Sequence, residues 1–173
     1  MDQPDVDPSL LSLVDTNFQI GREQLEEGNN LIPQITLLAE GDGGWTIIPI
    51  IVADDTFESP AKHYRLPIMV KSIWRDAMSK DSTLHLRGIV ILLDIWMEKI
   101  SIDEFLKLKE AGKWKPLSQK PGSTEVLLVQ LIVEDKEDTY IWPYVRAETG
   151  IVFASEYRKE SGTKSVVKGL WPL

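Results

Sequence analysis

Glu125-Val126-Leu127-Leu128-Val129-Gln130-Leu131-Ile132-Val133 runs into the charged stretch Glu134-Asp135-Lys136-Glu137-Asp138, which leads to Thr139-Tyr140-Ile141-Trp142-Pro143-Tyr144-Val145-Arg146-Ala147. Two runs rich in β-branched and aromatic residues on either side of a short polar segment predict an antiparallel hairpin, with strands over 125–133 and 139–147 and a turn over 134–138. Thr149-Gly150 turns the chain again into a third strand, Ile151–Ser155. Pro143 lacks a ladder donor, so its strand lies at an edge or beside a bulge.

Upstream, the same signals recur. Leu31–Ala39 and Trp45–Val52 are strand-like and flank Glu40-Gly41-Asp42-Gly43-Gly44, a turn-forming cluster of hairpin-loop length. Pro33 and Pro49 fall inside these runs, which places at least one of them at a sheet edge or a bulge. Leu84–Trp96 is the most apolar run; Gly88 to Leu93 carries apolar residues on both faces, the pattern of a central strand covered on both sides.

Helices separate these strands. Asp7-Pro8 is an N-cap followed by proline at the first helical position, and Leu11, Val14, Phe18 and Leu25 recur on one face up to Gly28-Asn29. The spacing predicts a helix over 8–27. Leu66, Met69, Val70, Ile73 and Ala77 predict a second over 67–80, with Pro67 kinking or restarting it. Ser101-Ile102-Asp103-Glu104 has the spacing of a capping box and predicts a short helix ending at Gly112, followed by loop from Lys113 to Ser123. The order α-β-β-α-β-α-β-β-β with hairpin-length links predicts an α+β fold: one mostly antiparallel sheet of about six strands, two longer helices and one short helix. The expected domain runs over 1–155, with 156–173 as a polar C-terminal tail docked through its last residues.

Composition narrows the function classes. The 173 residues are 43% hydrophobic and 27% charged, ordinary globular values. A net charge of −8 disfavours nucleic acid and anionic membrane as partners. The opening residues show no basic and apolar pattern of a secretory signal, no apolar run approaches the ~20 residues of a membrane span, and cysteine is absent; the expectation is a cytoplasmic protein. The charge is lopsided. Residues 1–60 hold 12 acids and one base, Arg22, for −11, while residues 61–173 hold 18 bases and 15 acids, for +3.

Chemistry-bearing residues are sparse. Histidine titrates near neutrality and is the natural acid–base candidate. His63 follows Asp54, Asp55 and Glu58, and His85 begins the apolar strand; neither is accompanied by a nucleophile motif. Asp94 interrupts an apolar strand, so its carboxylate must be paired, protonated or at the sheet margin. No H-x-x-x-H spacing, Walker-type loop, G-x-S-x-G or EF-hand pattern occurs, and neither metal nor cofactor is expected. Lys107, Lys109, Lys113, Lys115 and Lys120 around Trp114 read as a solvated helix face running into a loop.

Tyr140, Trp142 and Tyr144 share one strand face and form either a contact stripe or, since a sheet must be covered, part of the core. Glu23, Glu26 and Glu27 crowd the last turn of the first helix, where the macrodipole disfavours negative charge.

Three functions are compatible with these features. The first is a non-enzymatic acidic binding protein for a protein partner, a basic one as an immunity or anti-toxin-like bacterial protein would engage, with Glu23, Glu26, Glu27, Tyr140, Trp142 and Tyr144 as contact residues. The second is a small-molecule binder or acid–base hydrolase using His63, His85 or Asp94. The third is a homo-oligomeric structural subunit, a homodimer for instance, pairing through the 125–155 hairpin.

Overall fold

The computed structural model of the protein describes residues 8–52, 65–97, 124–134 and 136–162. Their element order is α1 (Pro8–Glu26), β1 (Gln34–Gly41), β2 (Gly44–Ile51), α2 (Arg65–Lys80), β3 (His85–Met97), β4 (Thr124–Val133), β5 (Lys136–Ala147), β6 (Gly150–Phe153) and β7 (Arg158–Ser161). The expected short helix over 101–112 and the lysine run around Trp114 lie outside the described residues.

The caps set the helix limits. α1 begins at Pro8 and ends where Gly28 takes φ 79°, a left-handed conformation that costs glycine little. Gly28 N–H donates to Leu25 C=O and Asn29 N–H to Gln24 C=O, satisfying carbonyls that the helix end leaves open. α2 starts at Arg65, earlier than expected, and this removes the expected kink. Pro67 falls in the first turn, where N–H groups have no intrahelical acceptor and a missing one is free of cost.

All strand pairs are antiparallel, in the order β2-β1-β3-β4-β5-β6, with β7 also on β5. β3 is central, as its apolar run predicts: Ile89, Val90, Ile91 and Leu92 are fully buried. Opposed residues of a ladder share a face. On one face Ile35, Leu37, Ile50, Ile89, Ile91 and Leu93 pack with Leu66, Val70 and Trp74 of α2. On the other Leu38, Val90, Leu92, Leu127, Val129 and Leu131 pack with Leu10, Leu13, Val14 and Leu25 of α1. An amphipathic helix therefore covers each side of the sheet.

Two proline predictions find their physical outcome here. β2 is an edge strand, so Pro49 needs no ladder partner on its outer side. Pro143 lies inside β5, and the strand beside it is broken at that point: β6 pairs with Tyr144–Ala147, β7 with Asp138–Ile141, and residues 154–157 bulge between them. Only Ala154 N–H reaches the Pro143 carbonyl, at 2.8 Å.

Among the described residues the sheet has seven strands rather than about six, because Arg158–Ser161, expected as tail, pairs with β5. The charged turn is also shorter than expected. Val133 pairs directly with Lys136, so Asp138 lies in the ladder opposite Leu131 and is buried. Its charged neighbours hid this strand extension from composition-based reading.

Candidate functional site

His63 lies outside the described residues. His85, at the start of β3, is exposed and lines an open groove of about 410 Å³ with Glu40, Gly41, Asp42, Thr83 and Arg87. Arg87 Nε donates to Glu40 Oε2 at 3.1 Å, and Asp42 N–H donates to Thr83 Oγ1 at 3.0 Å, so the polar groups there tie two turns together. Asp94 is nine residues further along the same strand, about 30 Å away by strand rise. The structure does not bring His85 and Asp94 into one site.

Asp94 sits in a network of its own. Tyr144 Oη donates to Asp94 Oδ1 at 2.6 Å. Arg146 forks onto Glu125, Nη2 to Oε1 at 2.7 Å and Nε to Oε2 at 3.0 Å, and its Nη2 stands 4.0 Å from Asp94 Oδ2. Register explains the assembly, since Glu125 and Tyr144 are paired across β4 and β5 and Asp94 is one diagonal step away on β3. Burial, with the Glu125 charge adding to it, holds the Asp94 carboxyl above its ordinary value, against the Tyr144 hydrogen bond and the Arg146 charge. Burial pushes Glu125 up as well, but the Arg146 hydrogen bonds and the Arg146 charge outweigh it, and its net shift is downward. Burial and the two carboxylates raise the Tyr144 phenol far above the usual range. The two acids are thus driven apart in pKa, and Tyr144 and Arg146 spend their donors on them. The arrangement locks the ends of β3, β4 and β5 together.

Tyr140, Trp142 and Tyr144 are buried under α1, Tyr144 to 2% exposure. Phe18 stacks on Trp142 with ring centroids 4.1 Å apart and meets Phe153 edge-on at 5.7 Å, while Tyr157 from the bulge leans on Trp142 at 5.1 Å. The aromatic stripe is core, not a contact surface. The outer edge of β5, which hairpin-to-hairpin pairing would use, is occupied by β6 and β7.

Sequence reasoning missed Asp138. Its carboxylate is 1% exposed and stands 3.3 Å from Lys136 Nζ and 3.6 Å from Lys159 Nζ. Burial, with the charges of Asp138, Tyr157 and Asp15 adding to it, pushes the neighbouring Tyr140 phenol up to about 12.

Glu23, Glu26 and Glu27 are exposed, as their helical phase implies. Arg22 Nε donates to Glu26 Oε1 at 2.8 Å, Asn29 Nδ2 to Glu27 Oε2 at 3.3 Å, and no base occupies the last turn of α1. At about 100° per residue, Phe18, Arg22 and Leu25 share one flank of the helix; Leu13, Ile20, Gln24 and Glu27 share the other, with Glu23 beside them. The first flank meets Trp142 and Phe153, over whose ring the Arg22 guanidinium sits at 5.7 Å. The second faces β1, where Gln24 Oε1 accepts the N–H of Ile32 at 3.2 Å.

Beyond that flank no described helix covers the sheet. α1 packs over β3 and β4 and reaches β6, and no β2 residue belongs to the core cluster it forms. Trp45, Ile47, Pro49 and Ile51 oppose Glu40, Leu38, Thr36 and Gln34 and so lie on the α1 face. Trp45 is 43%, Ile47 57% and Ile51 72% exposed. The signal was present in the sequence, since Ile47-Ile48 and Ile50-Ile51 put apolar side chains on both faces of one strand. Which face lacked a cover was not readable from it.

The described residues therefore define an α+β protein built on an antiparallel sheet with one helix on each face, and none of their helices is long and apolar enough to cross a membrane. Comparison with protein-family models, with curated protein sequences and with solved structures found no match to this chain.

Proposed function

We propose that the protein is a non-enzymatic binding protein that engages a basic protein partner through the acidic outer surface of α1. One observation carries this assignment: Glu23 and Glu26 stand exposed in the last turn of α1 and Glu27 just past it, against the helix dipole, with Arg22 paired to one of the three. Acids in that position cost the helix stability, so a use outside the fold accounts for them better than folding does. The same charge would steer a cationic partner and speed its association. A cytoplasmic setting, as for an immunity or anti-toxin-like protein, accords with the absence of cysteine.

The test is a capture experiment from the native host at low salt, repeated with Glu23, Glu26 and Glu27 all changed to lysine. Lysines there complement the helix end and offset the loss of the exposed Arg22–Glu26 pair, so the variant should stay folded while it loses the partner. Association with the captured protein should slow steeply with added salt. Capture of the same partner by both proteins, or a partner exchanged equally well at high salt, would remove the assignment.

A further inference from the structure

The bare margin beside α1 has the shape and the charge of a receptor for one kind of partner segment. β2 carries no charged residue, and its Trp45, Ile47 and Ile51 project from the α1 face into solvent. Ile32 adds a further 48% exposed side chain where the chain enters β1. The wall on the inner side is the α1 flank holding Ile20, with Glu23 and Glu27 above it. Residues 8–52, which build this wall and floor, contain six acids and a single base, Arg22. That base lies on the far flank, engaged with Glu26 and Phe153.

The spacing suits a helix. α1 sits over β3 and β4, and the β1–β2 boundary is two strand spacings away, about 10 Å. Helices pack side by side at about that separation. The eight residues of β2 span about 27 Å, the length of a helix of about 18 residues. An added strand at the β2 edge would meet Pro49, which offers no N–H, and would leave the apolar side chains above the sheet uncovered. A second copy of this chain would set one acidic rim against another.

We infer that this trough receives an amphipathic helix of a partner protein, apolar toward Trp45, Ile47 and Ile51 and bearing lysine or arginine on the flank that meets Glu23 and Glu27. The inference rests on the binding function proposed above and names the partner segment and its seat. Trp45 at one end of β2, Ile47 in its middle and Ile51 at the other end form a row of apolar anchors, the kind of residue that carries most of the affinity of an interface.

The test uses the full chain and a fluorescein-labelled peptide of about 18 residues with leucines on one helical face and lysines on the other. Two comparison peptides replace the lysines by glutamate or the leucines by serine. Anisotropy at low salt should show binding of the first peptide alone. Ile47→Ser with Ile51→Ser should weaken it about tenfold or more, because two well-exposed side chains lose their apolar contact. Glu23→Gln with Glu27→Gln should weaken it and flatten its salt dependence. Ile68→Ser, an exposed residue of α2 on the opposite side of the sheet, should leave it unchanged.

Equal binding by the parent and the Ile47/Ile51 variant overturns the trough, as does equal binding of the serine peptide, which would mean charge alone. A dimer in sedimentation that the Ile47/Ile51 variant abolishes would give the trough to a second copy and also overturn the inference. If that variant still captures the basic host partner while the triple lysine variant does not, the trough falls and the binding function stands.

Discussion

Gly21→Ala tests whether α1 is seated as tightly as its geometry requires. Gly21 is in mid-helix, where alanine should stabilise by about 1 kcal/mol on propensity alone. Against this, a Cβ at Gly21 would lie 2.9 and 3.1 Å from the two terminal methyls of Leu127 and 3.2 Å from one of Leu92. Carbon atoms rest at about 3.5–4.0 Å, so three contacts would be compressed at once. Methyl tips can usually yield, but both leucines are fully buried in the close-packed core under α1. Overpacking of this kind costs about 1–3 kcal/mol, which exceeds the propensity gain and leaves a net loss of about 1 kcal/mol or more. Gly88→Ala is the internal comparison: its Cβ would meet one Leu10 methyl at 2.7 Å and nothing else nearer than 3.6 Å. Leu10 lies in the first turn of α1, where a single side chain can swing aside, so this change should cost less despite the shorter distance. Urea unfolding reads the midpoint shift at constant m. With Leu127→Ala added, which alone costs about 2–5 kcal/mol, the Gly21→Ala penalty should shrink, because the crowded methyls are gone. A Gly21→Ala protein as stable as the parent would refute the tight seating of α1.

Two further outcomes follow from the polar clusters. The raised pKa of Asp94 contributes stability that is fully present below the ordinary carboxylate range and lost as pH rises through its folded value. The lowered pKa of Glu125 contributes stability present above that range and lost as pH falls through its folded value. Asp94→Asn should therefore gain on the parent between about pH 3 and pH 7, and Glu125→Gln should lose on it, in thermal unfolding across that window; slopes of the same sign for both would contradict the network. Separately, ultraviolet titration should show one tyrosine ionising only near the value of about 12 held by Tyr140, absent in Tyr140→Phe; ionisation of every tyrosine in the range of free phenol would contradict its burial beside Asp138.

Much of the fold was legible because it rests on local chemistry. Pro8 and Gly28 bracket α1, and the run from Gly88 to Leu93 announces a strand covered on both faces. Pro49 and Pro143 mark an edge and a bulge through their missing donors. Where local signals misled, a longer-range contact had overridden them. Lys136, Glu137 and Asp138 look like turn, yet register with Leu131, Ile132 and Val133 draws them into the sheet. Arg158–Ser161 looks like tail, yet the free half of the β5 edge takes it as a strand.

The candidate sites divide along the same line. The sequence by itself determined the composition of α1's last turn, its exposure through helical phase, and the strand faces that Tyr140, Trp142 and Tyr144 share. Tertiary packing alone set those aromatics in the core under α1, with Phe18 stacked on Trp142, brought Asp94 to Tyr144 within reach of Glu125 and Arg146, and left Trp45, Ile47 and Ile51 exposed. The physical reason is that periodicity fixes which residues share a face. What lies against that face depends on strand order and on where each helix comes to rest, and neither is encoded within a single segment.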